Sequence, residues 1–172
     1  MKVKKLALIS ILIALYCVLA YLASLITTSY FKFTLEALPI LIAGMLMGPI
    51  EGFAVGALGS FLIQIMTYGI TPTTILWILP HALSGLVVGL LAKHYNFEID
   101  TKRATIISII SALLVTVFNT LALYVDSKAY GYYSKELVFL SIPLKIVLGV
   151  VTAFLFSLIL KPLLNSLKRF TI

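Results

Sequence analysis

Charge is what this sequence lacks. Of 172 residues only six are acidic, and Asp, Glu, Lys and Arg together make up 11%. A soluble domain carries about a quarter charged residues and is about half apolar. Here 62% are hydrophobic and the mean hydropathy is +1.15, which excludes an ordinary soluble domain. Cysteine is nearly absent. Cys17 stands alone in an apolar run, so an internal disulfide and a CxxC metal site are both excluded, and a buried structural thiol is expected. There is no GxxxxGK[ST] phosphate loop, no HExxH and no paired-acid motif. Glu36, Glu51 and His81 could in principle be a metal set, but Glu51 is expected at an inner turn and the other two on the outer side, which argues against it, and no cofactor is expected. Low complexity, long linkers and clear internal repeats are missing as well.

What is present is a series of long apolar runs. A spanning helix needs about 20 apolar residues, and six helices are predicted, over 5–27, 35–48, 51–67, 73–93, 102–125 and 137–161. The second is short and ends at Gly48-Pro49. The tail after 161, KPLLNSLKRFTI, has the pattern of a helix lying along a membrane surface. The first run exceeds the core of a signal peptide and no A-x-A site follows it, so it reads as a retained helix. The runs are continuous rather than alternating, which argues against a β-barrel. The expectation is an all-α membrane protein, one domain over 1–172, built as a six-transmembrane-helix bundle.

The net charge of +7 reads as membrane topology rather than as a nucleic-acid surface. With six spans one face holds Lys2, Lys4, Lys5, Lys93, Lys102, Arg103, Lys161, Lys168 and Arg169. The other holds Lys32, Lys128 and Lys135. The positive-inside rule then places both termini in the cytoplasm. The outer loops carry Tyr30, Tyr68, Tyr130, Tyr132 and Tyr133. Such tyrosines anchor a membrane edge, and a cluster over one mouth also suits stacking on an aromatic ligand.

A few polar residues lie inside the apolar runs. Lys145 falls about eight residues into the last helix, roughly 12 Å deep at 1.5 Å per residue. It can snorkel to headgroups, pair with Glu36, or serve as counter-ion for a substrate carboxylate. Glu36, four residues after Lys32, starts the second helix. Its carboxylate suits a helix N-terminus and also suits ligand N–H groups. His81 follows Pro80, which leaves the Leu76 carbonyl without its helical N–H, and Trp77 lies one turn away on the same face. Gln64 and Asn119 complete the set, although amides in bundles often only bond neighbouring helices. Gln64, Trp77, His81, Asn119 and Lys145 come from four helices and fall in the outer half, the pattern of a pocket open to the outside. Small residues four apart, Ser10 and Ala14, Gly52 and Gly56, Gly85 and Gly89, allow close helix approach. Those on the first helix are free to meet a partner protein.

With few acids in its spans and no ATPase motif, the chain reads as a binder of a small solute that depends on a partner for energy. In length, spans and basic N-terminus it resembles the substrate-binding (S) components of energy-coupling factor (ECF) vitamin transporters. The segment LEALPILIAGMLMGPIEGFAVGALGSFL, residues 35–62, is similar to their folate, pantothenate and riboflavin branches. The resemblance implies a six-helix fold, a vitamin bound from outside under residues Thr27–Thr34, and a transporter completed by a T subunit and two cytoplasmic ATPases. It further implies that the S component topples in the membrane to release its cargo. The T subunit is expected on helix 1, where Ser10-x-x-x-Ala14 replaces the usual AxxxA-like motif. Lys145 and Lys32 suit an anion, and Trp77 with Tyr68 and the other tyrosines suits a ring system. Folate is therefore the favoured vitamin, with pantothenate second, whereas riboflavin leaves the lysines unexplained. The rivals from other classes are a small intramembrane enzyme, with His81 or Glu36 catalytic, and an assembly subunit without ligand.

Overall fold

A computed structural model describes residues 2–26, 34–140 and 142–171, with side chains placed over 3–26, 34–140 and 142–167. Among the described residues the chain is helical and has no strand. The helices are α1 (Lys2–Ile26), α2 (Ala37–Met47), α3 (Pro49–Tyr68), α4 (Thr74–His94), α5 (Thr101–Ala129) and α6 (Ile142–Thr171). A π-helical turn, Glu136–Leu140, lies between α5 and α6. It occupies what the sequence suggests as the start of the last helix. The tail after 161 continues α6 through Pro162 to Thr171 instead of forming a separate element.

Five of the helical segments are long and apolar enough to cross a membrane. The sixth helix, α2, is different. Its 11 residues measure about 16 Å, half a hydrocarbon core. Seven consecutive residues, Pro39 to Met45, are all buried. A helix that is apolar and buried on every side belongs in the middle of a bundle, and α2 packs against α1, α3, α4 and α6. Gly48 ends it. Its φ of +116° is a left-handed value that favours glycine, and Pro49 then opens α3 at a position where no amide N–H is required.

The tightest packing joins α3 to α4. A Cβ placed on Gly52 would meet the Gly85 carbonyl oxygen at 2.3 Å, and one on Gly56 would meet the His81 carbonyl oxygen at 2.2 Å. One on Gly89 would strike Pro49 at 2.3 Å. The three pairings run in opposite directions along the two helices, so α3 and α4 are antiparallel with backbones nearly touching. The glycine spacings seen in the sequence are therefore consumed by internal packing.

Lys5 and Glu51 form an ion pair at 2.5 Å, which places the start of α1 beside the α2–α3 turn. The α4–α5 turn joins them, since Phe97 lies next to Gly48. Asp100 caps α5 there by accepting the Arg103 amide N–H at 2.7 Å. The opposite end, which we call the far end, carries the α3–α4 and α5–α6 connections. Many large apolar side chains on α1, α3, α5 and α6 point outward, among them Leu6, Leu25, Ile50, Met66, Val147 and Leu158. Such a surface is at home in lipid.

Candidate functional site

Two cavities open between the helices and share a wall. The smaller, about 230 Å³, lies among α2, α4, α5 and α6. The larger, about 610 Å³, lies toward the far end and is lined from α1, α3, α4, α5 and the loop after α5. Trp77, His81, Asn119 and Leu123 line both.

Most of the residues singled out in the sequence meet here. Lys145, half-buried on α6, lines the smaller cavity. Gln64, Glu36 and Tyr68 line the larger one. Glu36 is 2% exposed and immediately precedes α2, but its side chain makes no capping hydrogen bond. Lys32 lies outside the described residues. Thr34, the described end of the segment 27–34, lines the smaller cavity. Ser10 and Ala14 line neither cavity and are exposed on α1.

Sequence reasoning missed three features. The first is Asp126. Its Oδ1 accepts from the Thr73 hydroxyl at 2.5 Å and from the Trp77 indole N–H at 3.3 Å. Its Oδ2 accepts from the Tyr132 phenol. This carboxylate ties the start of α4, the end of α5 and the following loop together at the mouth of the larger cavity. Burial, with the hydrogen bond to Asp126 next, pushes the Tyr132 phenol up to about 12. The loop is held a second way, by Tyr133 edge-on to Tyr124 at 5.6 Å and under the Lys128 ammonium at 4.1 Å.

The second is Tyr16, 2% exposed, whose ring meets His81 edge-on at 5.7 Å. It brings α1 to the wall that the cavities share. The third is a face of α5. Ser108, Ser111, Ala112, Val115, Thr116, Asn119 and Leu123 all line the smaller cavity. Their spacing of three and four is one side of a helix, about 22 Å long. The pocket is thus deeper than an outer-half site. It reaches Ser108, only seven residues from the start of α5 at the opposite end. Serine and threonine are too common in apolar helices for sequence alone to signal this, whereas Asp126 hides just after a predicted span.

Chemically the walls combine aromatic surface, amides, hydroxyls and a few charges. No group of three His, Cys, Asp or Glu side chains able to hold a metal occurs among the described residues. This is a container with hydrogen-bonding walls, suited to a small molecule with a planar ring and polar arms.

Comparison with curated proteins and with solved structures returns no match. A family model described as "ECF-type riboflavin transporter, S component" matches residues 1–167, and the chain belongs to this family: it is a vitamin-binding, multi-pass membrane subunit of an ECF transporter and not an enzyme.

Proposed function

We propose that the two joined cavities hold one vitamin with a planar heteroaromatic ring and an uncharged polar arm, of which riboflavin is the fitting example. The carrying observation is the charge of the lining. Among the described residues that line the cavities, one lysine, Lys145, stands against two carboxylates, Glu36 and Asp126. A dianion would enter a lining whose formal charge is already negative, and like charges at close range are costly in a dry site. An uncharged ligand avoids that cost. Its ring N–H suits the carboxylate-bearing end and its hydroxyls suit the serines and threonines of α5. The family description, which names riboflavin, supports the same ligand.

Folate is the second reading, and Lys145 is what favours it. An ammonium within the smaller cavity can hold a carboxylate. Pantothenate rests on the same lysine but leaves the aromatic wall without a task.

The orientation that goes with this reading has both termini in the cytoplasm, as the lysine and arginine distribution suggests, and the larger cavity facing out. The outward-facing Ser10 and Ala14 on α1 are the proposed contact for the T subunit, with two ATPases driving release.

The test is titration of the purified chain with riboflavin, folate and pantothenate, followed through the fluorescence of Trp77, the sole tryptophan. Saturable quenching by riboflavin and not by folate is expected. Folate binding with riboflavin excluded would replace the first reading by the second. Binding of none of the three would remove vitamin capture by the isolated chain.

A further inference from the structure

The deep end of the smaller cavity has no charged side chain and is floored by hydroxyls. Ser84 on α4 and Ser111 on α5 bond one another, Oγ to Oγ, at 2.7 Å. Ser108, one turn below Ser111, is 1% exposed, and its Oγ has no hydrogen-bond partner. All three line the cavity. In the Ser84–Ser111 pair one hydroxyl gives its hydrogen to the other, so a second O–H hydrogen has no acceptor among the described residues. The other buried serines among the described residues, Ser60, Ser127 and Ser157, are satisfied. Ser60 donates to the Gly56 carbonyl at 2.6 Å and Ser157 to the Phe154 carbonyl at 2.7 Å. Leaving a buried hydroxyl unpaired is unfavourable, and here two such groups lie side by side on the lining of one cavity.

The chemistry of the floor restricts what binds. It offers O–H donors and oxygen lone pairs in roughly equal measure and no counter-ion. Lys145 is seven residues before Thr152 on α6, roughly 10 Å away along the helix from the level where Thr152 joins the lining. A carboxylate or ammonium placed on the serines would be buried without a partner. An alcohol both donates and accepts, and satisfies both kinds of vacancy at once.

We propose that Ser84, Ser108 and Ser111 form a subsite for an uncharged hydroxyl-bearing arm of the ligand, inserted arm-first so that its ring stays at the level of Trp77 and Asn119. This rests on the uncharged-ligand reading above and adds to it the direction of binding and the residues that read the arm.

The experiment compares riboflavin with lumiflavin, which keeps the ring and replaces the sugar-alcohol arm by a methyl group, on the wild-type chain and on S108A. The S108A chain should bind riboflavin about 3- to 10-fold more weakly, the loss of one neutral hydrogen bond, and lumiflavin as the wild type does. Equal losses for both flavins, or no loss for riboflavin, overturn the subsite. A second measurement needs no ligand. Because S108A removes an unsatisfied group, its ligand-free Tm should equal or exceed that of the wild type. S157A, which breaks a made bond outside the cavities, should lower it. A ligand-free Tm that falls in S108A as it does in S157A means that Ser108 serves the fold, and overturns the proposal. That comparison stands even if neither flavin binds, a result that would remove the flavin reading alone.

Discussion

The Trp77 indole N–H points at the Asp126 carboxylate across 3.3 Å, and so fixes the plane of the largest aromatic ring that walls both cavities. The same carboxylate oxygen takes the Thr73 hydroxyl, and the other takes Tyr132. One side chain therefore sets the attitude of Trp77 and the position of the loop above it. Replacing Asp126 by Ala should free the indole: Trp77 emission shifts to the red and acrylamide quenches it more strongly in the ligand-free protein. Asn, which keeps one acceptor oxygen, should fall between. A stability loss of about 1.5–3 kcal/mol goes with the Ala change, the scale for hydrogen bonds to a charged group. Emission and quenching identical to wild type would show that the indole is held by packing alone.

Gly56 protects the other side of that wall. A methyl group there would stand 2.2 Å from the His81 carbonyl oxygen, and neither backbone can yield without parting α3 from α4. Overpacking of this kind costs about 1–3 kcal/mol. G56A should lower Tm and weaken vitamin binding together, because His81 moves with its backbone. Gly149 is the comparison. Its added Cβ would sit 3.5 Å from that of Ala112, an ordinary contact, yet Gly149 lines the smaller cavity. G149A should therefore keep or raise Tm while reducing affinity. Parallel behaviour of the two variants would contradict the placement of one of them.

At the opposite end, Lys5 and Glu51 couple α1 to α3 at 2.5 Å, with side chains 47% and 15% exposed. An ion pair this open to solvent is weak, and a double-mutant cycle between K5A and E51A should give a coupling of about 0.2–1 kcal/mol that shrinks with added salt. Coupling that is absent at low salt would mean that α1 is held by its apolar face alone.

Much of this was legible from the residues, for physical reasons that can be named. An apolar run has to be a helix in lipid, because its backbone polar groups find partners only within the segment. That made the long helices visible. Gly48-Pro49 marked the turn because few other pairs permit that φ and that start. Trp77, His81, Asn119, Gln64 and Lys145 stood out because each is expensive in a membrane helix without a partner or a cavity. Asp126 did not stand out. It sits three residues from the end of α5, where a carboxylate facing water is unremarkable, and its worth lies in Thr73, Trp77 and Tyr132, up to 53 residues distant in the chain. Ser84, Ser108 and Ser111 were silent for a different reason. A serine usually satisfies itself on its own helix backbone, and only the folded arrangement shows which ones have not. The π-helical turn at Glu136–Leu140 left no mark either, since its residues, ELVFL, suit an α-helix equally well.

Lys145 carries the remaining choice between ligands. It is half-buried on α6 and lines the smaller cavity, so a ligand in that space meets its side chain. Toward an uncharged flavin it is a donor to a carbonyl or hydroxyl. Toward a carboxylate it is the counter-ion. K145M keeps much of the stem and removes the charge. For an uncharged ligand the loss should stay near about 10-fold, whereas losing the counter-ion of a buried carboxylate costs about 100-fold. The salt dependence separates the cases in the same way, because screening weakens attraction to a charge during entry and leaves a neutral ligand unaffected. Riboflavin affinity that falls about 10-fold or less in K145M and does not change with salt is the expected result. Tight, salt-sensitive folate binding that collapses about 100-fold in K145M would show instead that the lysine outweighs Glu36 and Asp126, and that the cavity was built for an anion.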